Sequence, residues 1–157
     1  MTWTYLNKPI TELPVDVIGF VYIITHTTTG KRYIGKKLAK FKRTRTKMIT
    51  QKNLKRVKRK VVSYVDSDWL SYWGSCQQLS ADIAILGENK FTREIIRLCY
   101  SKAECSYWEA KEQFYNGVLE SDEWYNGQIS VRIHKSHIVA KKPQTGTAKI
   151  PLDTKPI

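Results

Sequence analysis

The sequence predicts an α/β (α+β) fold: a small, mostly antiparallel three-stranded sheet flanked by helices, with a basic insertion after the second strand. Short runs rich in Val, Ile and Tyr at residues 20–25, 32–36 and 91–100 predict the strands. Apolar residues at helical spacing predict one helix before the third strand and another after it. The excess of positive charge is confined to residues 36–60, which marks the insertion.

Length and composition limit the class of protein. The 157 residues, of which 41% are hydrophobic, fit one globular domain with its own core. No apolar run approaches the ~20 residues of a membrane helix, and the N-terminus lacks the pattern of a signal peptide. We therefore expect a soluble cytoplasmic protein without a membrane partner. The three cysteines are an odd number without CxxC spacing, which favours reduced thiols over zinc ligands or disulfides.

Three segments are expected along the chain. Residues 1–18 are polar and contain proline, which predicts an irregular N-terminal lead-in. Residues 19–138 are expected to form the folded domain, and the basic block at 36–60 is expected to be partly helical. Residues 139–157 lack periodicity, so we expect a loose C-terminal tail there.

Two helices are predicted, each with a recognisable end. The first has apolar residues at helical spacing and stops at Gly87. The second begins with a capping box at residues 101–104 and is expected to continue to about Val118. Its predicted inner stripe consists of Ala103, Tyr107, Ala110, Phe114 and Val118.

The first two strands are expected to form a hairpin with two tyrosines on one face. A four-residue loop at 27–30 places Tyr22 opposite Gly35 and Ile24 opposite Tyr33. The two tyrosines are then diagonal neighbours within reach of each other. Gly35 leaves space opposite Tyr22, where a phosphate could approach the backbone. Aromatic residues are also common in strands because they pack well there, and this interpretation stays open.

The basic block at residues 36–60 contains 13 of the 27 Lys and Arg residues and no Asp or Glu. Because the remainder of the chain is formally neutral, this distribution favours a local polyanion partner over a general role in solubility. A solvated basic loop is the alternative, and a lipid surface is disfavoured because the block has no clean apolar face. The cations predicted to bind this polyanion, and DNA if the partner is a nucleic acid, are Lys37, Lys40, Lys42, Arg45, Lys47, Lys55, Arg56, Lys58, Arg59 and Lys60.

The motif "VYI", followed eleven positions later by "YIG", resembles the GIY-YIG nuclease domain, which is named for its first two strands. Residues 107–109, "YWE", resemble the aromatic residues and glutamate of that family's metal-binding helix. Residues 124–126, "WYN", resemble its "GYN" segment. The stretches "YIGKK", "SDWLSYWGS" and "FTREII" are most similar to phage Seg-type endonucleases. The resemblance covers residues 20–133 and departs from the family pattern at Phe20, where the first motif has a glycine.

The resemblance implies a metal-dependent, phage-encoded DNA endonuclease, similar to homing endonucleases, that acts in the host cytoplasm. It would hydrolyse phosphodiester bonds with Mg²⁺ (or Mn²⁺) and no small-molecule cofactor. A single carboxylate can hold such an ion when water and phosphate oxygens complete its coordination. The implied catalytic residues are Tyr22, Tyr33, Lys36, Arg43, Glu109 and Asn126. A non-catalytic nucleic-acid-binding protein that uses the basic block is the alternative.

Glu109 is the implied metal ligand among three glutamates of the second helix. It borders the apolar stripe, whereas Glu104 belongs to the capping box and Glu112 fits a solvated helix charge. Arg43, or Arg45 in its place, is expected to bind the scissile phosphate through its planar, permanently charged guanidinium group.

The remaining implied residues act on water, phosphate or metal. One tyrosine activates the attacking water, with Tyr22 preferred over Tyr33, while the other positions the site. Lys36 holds a phosphate or lowers the pKa of a tyrosine, which is otherwise near ~10. Asn126 hydrogen-bonds near the metal or phosphate, or is simply the first residue of an Asn-Gly turn.

Overall fold

Seven β-strands and two α-helices make up the described part of this computed structural model, which comprises residues 2–50, 52 and 55–135. The strands are β1 (Trp3–Tyr5), β2 (Lys8–Ile10), β3 (Gly19–His26), β4 (Arg32–Leu38), β5 (Lys40–Thr50), β6 (Arg56–Asp66) and β7 (Phe91–Cys99). The helices are α1 (Gln77–Leu86) and α2 (Lys102–Tyr115), and single 3-10 turns precede α1 and β7. The predicted tail at 139–157 lies outside the described residues.

Five of the strands form one sheet in the order β2-β1-β7-β3-β4. β1 and β7 are parallel and the other neighbours are antiparallel, which confirms a mostly antiparallel sheet. The prediction of three strands is wrong, because the lead-in for which we expect irregular structure supplies β1 and β2. A two-residue turn at Leu6 and Asn7, both with positive φ (51° and 62°), joins these strands. Trp3 in β1 is fully buried, so the lead-in contributes to the core.

The hairpin of β3 and β4 has the predicted register. Tyr22 is opposite Gly35 and Ile24 is opposite Tyr33. The centroids of the two tyrosine rings are 6.1 Å apart, which confirms that the side chains share a face. β4 is the last strand of the sheet, so one side of its backbone has no neighbouring strand.

A second sheet consists of β5 and β6 alone, two antiparallel strands of 11 residues each. We call residues 40–50 and 56–66 the basic ribbon. The expectation that residues 36–60 are partly helical is therefore wrong. In a helix, cations four residues apart would repel one another. On a strand, neighbouring side chains point to opposite faces, and the Thr and Val residues between the cations favour that conformation.

The predicted stop of α1 and the predicted start of α2 are confirmed, whereas the predicted end and inner stripe of α2 are only partly correct. α1 ends at Leu86, directly before Gly87, whose φ is 87°, and Ser101 Oγ at the start of α2 accepts a hydrogen bond from Glu104 N at 3.1 Å. α2 ends at Tyr115, three residues before the predicted end. Its predicted inner stripe is partly wrong, since Phe114 is 66% exposed. The buried residues of this helix are Cys105, Ala110 and Gln113.

Two further expectations concern the thiols and the membrane. The three cysteines are free thiols, as predicted, and Cys99 and Cys105 are buried. Within the described ranges, no helix has the length and apolar character needed to cross a membrane.

Candidate active site

A cleft of about 610 Å³ lies along the outer edge of β4. Because successive side chains of a strand point to opposite faces, Tyr33 lines this cleft from one face of the sheet and Lys36 from the other. Glu109 and Gln113 of α2, residues 125–128 and Ser130 after that helix, and residues 75–78 also line it. The cleft therefore brings together four residues that the sequence predicts to be catalytic, Tyr33, Lys36, Glu109 and Asn126.

The segment after α2 covers part of the free edge of β4. Arg32 N donates to Glu123 O at 2.8 Å, and Tyr125 N donates to Arg32 O at 2.7 Å. Asn126 continues this pairing with its side chain. Ile34 N donates to Asn126 Oδ1 at 2.9 Å, and Asn126 Nδ2 donates to Ile34 O at 2.8 Å. The side-chain amide thus takes the place of a neighbouring strand at Ile34.

This arrangement gives Asn126 a structural function that the sequence did not reveal. The residue is 9% exposed, and Gln113 Nε2 donates a further hydrogen bond to Ile34 O at 3.1 Å. Both amide atoms of Asn126 therefore fix the position of β4 beside the cleft. Direct contact between Asn126 and a metal or phosphate stays a prediction.

The Glu109 carboxylate and the Lys36 ammonium form an ion pair at the cleft, with Oε2 and Nζ 2.5 Å apart. Glu109 lies between the buried residues Cys105 and Gln113, one helical turn from each, so it occupies the packed side of α2. The side chains of Glu109 and Lys36 are 17% and 29% exposed. As the sequence predicts, this carboxylate lies against the protein rather than in bulk water.

The other two glutamates of α2 have partners of their own. Glu104 Oε2 accepts a hydrogen bond from Tyr100 N at 2.8 Å, one residue before the N-cap Ser101, so this carboxylate is engaged at the start of α2. Glu112 is not simply solvated, because its Oε1 lies 3.4 Å from Arg97 Nη2. Glu109 is therefore the carboxylate of α2 that lines the cleft.

The composition of the cleft decides which metal it could hold. The described residues contain no cluster of three or more His, Cys, Asp or Glu residues suited to a metal ion. Mg²⁺ fits a single carboxylate because it keeps several water ligands and accepts phosphate oxygens from a substrate. A structural zinc ion, which requires four protein ligands, does not fit. Lys36 would have to share the Glu109 carboxylate with the ion or move away from it.

The two tyrosines of the hairpin differ in access to the cleft. Tyr33 lines it, with its hydroxyl 3.5 Å from Ser75 Oγ, whereas Tyr22 is fully buried. A Cβ added to Gly35 would lie 2.5 Å from Tyr22 Oη. The prediction that Gly35 leaves space for a phosphate is therefore wrong, because the Tyr22 phenol itself fills that space.

Burial raises the pKa of both phenols. For Tyr22, desolvation raises the pKa well above its usual value, and electrostatic interaction with the neighbouring phenols of Tyr33 and Tyr72 raises it further. For Tyr33, desolvation again raises the pKa, and the hydrogen bond with Ser75 partly offsets this effect. A lowered tyrosine pKa, one of the two functions predicted for Lys36, is therefore not found. Both phenols are neutral at pH 7.

Arg43 and Arg45, the alternatives for the scissile phosphate, do not line the cleft. Both lie on the basic ribbon with exposed side chains. Arg43 is three residues beyond Lys40, where the ribbon begins, and at ~3.3 Å per residue this places it roughly 10 Å from the base of the ribbon. The structure separates the predicted arginine from Tyr33 and Glu109.

Lys37 and Lys40 are among the predicted DNA-binding cations that already have partners. Lys37 Nζ is 2.7 Å from Asp68 Oδ1 and 3.8 Å from the centroid of the Tyr72 ring. The Lys37 ammonium lowers the pKa of the Asp68 carboxyl below its usual value. Lys40 Nζ donates to Val15 O at 2.6 Å. The other predicted cations are exposed on or beside the ribbon: Lys42, Arg45, Lys47, Lys55, Arg56, Lys58, Arg59 and Lys60.

Sequence reasoning missed Arg93, a residue of β7 that is 4% exposed. Its guanidinium lies between the rings of Trp3 and Trp73, 4.8 Å and 4.1 Å from their centroids. Nη1 donates to carbonyls in segment 70–72 at 3.1 Å and 3.0 Å. This segment leads to Gly74, where an added Cβ would lie 3.3 Å from the Tyr33 ring and 3.4 Å from Tyr22 Oη. The sequence contains one signal for this residue: Arg93 lies two residues after Phe91 and two before Ile95, so in a strand its side chain shares their buried face.

One comparison identifies the family of the chain. The family model described as "Putative endonuclease segE, GIY-YIG domain" matches residues 3–129. This match spans the main sheet, the basic ribbon and both helices, and it begins at β1. Neither a curated protein nor a solved structure matches the chain significantly. The chain therefore belongs to the SegE-type GIY-YIG endonuclease domain family, as its motifs predict.

Proposed function

We propose that this protein is a divalent-metal-dependent endonuclease that hydrolyses phosphodiester bonds of DNA in the cleft beside β4. The observation that carries the proposal is the convergence of Tyr33, Lys36 and Glu109 on that cleft in a member of an endonuclease family. A phage origin, with action in the host cytoplasm, belongs to the same proposal and is supported by the resemblance to Seg-type enzymes.

Lys36 presents two hydrogen-bond donors to a phosphate. Ile34 directs its backbone N–H away from β3, toward Asn126. Residues two apart on a strand direct their backbone groups to the same side, so the N–H of Lys36 also faces the free edge of β4. This N–H and the Lys36 ammonium can bind oxygens of one phosphate, and the charged donor makes the stronger bond.

Glu109 is the residue that would hold Mg²⁺ (or Mn²⁺). When bound, the ion supplies Lewis-acid stabilisation of the charge on the phosphate and on the leaving oxygen. Without DNA, Lys36 and Glu109 neutralise each other. A phosphate in the cleft offers Lys36 a second anionic partner, which makes the Glu109 carboxylate available as a metal ligand.

Tyr33 is the better placed tyrosine to accept a proton from the attacking water, because it lines the cleft and Tyr22 is buried behind it. This order reverses the preference for Tyr22 that the family resemblance implies. Tyr22 packs against Tyr33 and fixes the position of its ring. A phenol with a raised pKa is a strong base once ionised, but it is rarely ionised at pH 7. Cleavage should therefore accelerate with rising pH.

A non-catalytic nucleic-acid-binding protein is the second candidate. One observation favours it: Lys36 neutralises the Glu109 carboxylate, so that without DNA no free carboxylate lines the described part of the cleft. Such a protein would use the basic ribbon alone.

Incubation with supercoiled plasmid separates the two candidates in one gel. An endonuclease converts the plasmid to open-circular or linear product in Mg²⁺ or Mn²⁺ and leaves it intact in EDTA. A binding protein retards the plasmid in all three conditions without cutting it. Equal cleavage in EDTA and in Mg²⁺ would contradict metal dependence.

A further inference from the structure

The basic ribbon has two faces that differ in their cations. Directly opposed residues of β5 and β6 share a face, as do alternate residues along each strand. One face, which we call the arginine face, carries Arg43, Arg45, Lys47 and Arg59. The other face, which we call the lysine face, carries Lys40, Lys42, Arg56, Lys58 and Lys60, with Asp66 at its base.

The outer cations of the ribbon have no counter-ion among the residues that the structure describes. From Lys42 to Lys47 and from Arg56 to Lys60, no side-chain hydrogen bond or ion pair joins a Lys or Arg to any described residue. Lys47 is directly opposite Arg59, and like charges in that position destabilise a pair of strands. A polyanion against the ribbon would remove this repulsion.

The dimensions of the ribbon match one groove of duplex DNA. Two strands lie ~4.8 Å apart before side chains are added. The major groove, ~12 Å wide, admits a two-stranded ribbon, whereas the minor groove is only ~6 Å wide. Strands of 11 residues at ~3.3 Å per residue extend about 36 Å. That length is close to the ~34 Å of one turn of B-DNA.

We propose that the basic ribbon lies in the major groove of duplex DNA, with the arginine face toward the base edges and the lysine face outward, where its long side chains reach back to phosphates along the rims of the groove. This inference rests on the proposed function only in taking duplex DNA as the substrate. Arginine has a planar fork that binds guanine O6 and N7 together, whereas lysine is a compact charge suited to phosphate. Val57 and Val61 on the arginine face can contact thymine methyl groups.

The base of the ribbon connects the proposed DNA-binding strands directly to the strand that borders the cleft. β4 ends at Leu38 and β5 begins at Lys40, so the ribbon leaves the sheet at the strand that forms the cleft. Ser67 fixes both sides of this junction, because its Oγ donates to Leu38 O at 2.6 Å and its N donates to Ala39 O at 2.8 Å. The ribbon would therefore contact about one turn of duplex on one side of the scissile phosphate.

Two triple variants that remove equal charge from opposite faces test this proposal. One is Arg43→Ala, Arg45→Ala, Arg59→Ala, and the other is Lys42→Ala, Lys58→Ala, Lys60→Ala. All six side chains are exposed, and circular dichroism checks that both variants remain folded. The probe is a 16-base-pair duplex partly methylated with dimethyl sulfate, which modifies guanine N7 in the major groove and adenine N3 in the minor groove. Bound and free duplexes are separated in EDTA and compared.

The proposal predicts that N7-methylguanine is depleted at least threefold in duplex bound to the wild-type protein and to the lysine-face variant. The arginine-face variant should lose this depletion, although the two variants carry the same reduction in positive charge. Depletion of N3-methyladenine, no depletion at all, or the same loss in both variants would overturn it. This assay requires neither metal nor cleavage, so it is independent of the plasmid assay. If the protein does not cut plasmid but still excludes N7-methylguanine, the proposed endonuclease activity is wrong and the proposed binding in the major groove is supported.

Discussion

Replacement of Asn126 by alanine should destabilise the protein and slow cleavage by releasing the edge of β4. Asn126 binds Ile34 N and Ile34 O through buried hydrogen bonds of 2.9 Å and 2.8 Å. Each bond contributes roughly 0.5–1.5 kcal/mol, and a buried N–H left without a partner costs about 1–3 kcal/mol. Ile34 O keeps Gln113 as a donor, so the penalty falls on the N–H. We expect the free energy of unfolding to fall by about 2–4 kcal/mol.

Urea unfolding and thermal melting measure this loss. For a chain of this size, 1 kcal/mol shifts Tm by about 2–4 °C, so Tm should fall by roughly 4–16 °C. Asn89→Ala is the matched control, because Asn89 is exposed. If Asn126→Ala keeps the wild-type stability and loses only cleavage, Asn126 acts directly on metal or phosphate and the structural function assigned to it is wrong.

Three further predictions concern the tyrosines, pH and the ribbon. Tyr33→Phe should bind DNA normally and cleave at least ~10²-fold more slowly in single-turnover kinetics. The control is Tyr115→Phe, since Tyr115 is exposed. If Tyr22→Phe and Tyr33→Phe both cleave at the wild-type rate, the two tyrosines only pack the core. Because burial raises the pKa of both phenols, the cleavage rate should rise with pH from 6.5 to 9.5 without a plateau. A plateau of the cleavage rate below pH 9 would contradict this pH dependence. The free energy of unfolding should begin to fall above about pH 10, because phenols of the unfolded chain ionise there and the buried phenols do not. Five cations can be neutralised together: Lys55, Arg56, Lys58, Arg59 and Lys60. This change should reduce the slope of the logarithm of the DNA-binding constant against log salt by about 0.9 for each DNA phosphate that the protein no longer neutralises. An unchanged slope would show that the ribbon does not bind DNA.

The parts of the fold that the sequence predicts are those fixed by neighbouring residues. The register of β3 and β4 follows from a four-residue loop, and the start of α2 follows from Ser101 and Glu104. The position of Glu109 follows from helical spacing against a buried stripe. In each case the interactions that decide the structure lie within a dozen residues of sequence.

The features that the sequence does not predict depend on distant partners. β1 is three residues long and pairs with β7, with Thr4 opposite Glu94, so neither strand length nor periodicity reveals it. The sequence alone fits Asn126 equally well to a turn and to a site residue, because its partner Ile34 is far away in the chain. The basic ribbon is hard to predict for another reason, because its many cations hide the alternation of apolar residues. Charge repulsion in a helix and the Thr and Val residues between the cations favour a strand, but both signals are weak.

Plasmid cleavage by Glu109→Gln tests most directly whether Glu109 holds the metal that cleavage requires. Glutamine has nearly the same shape and can still accept a hydrogen bond from Lys36, but it removes the charge that holds the ion. Glu120→Gln is the control, since Glu120 is exposed. We predict no detectable cleavage by Glu109→Gln in Mg²⁺ or Mn²⁺, DNA affinity in EDTA within about twofold of wild type, and wild-type cleavage by Glu120→Gln. Cleavage by Glu109→Gln at the wild-type rate would contradict the metal assignment.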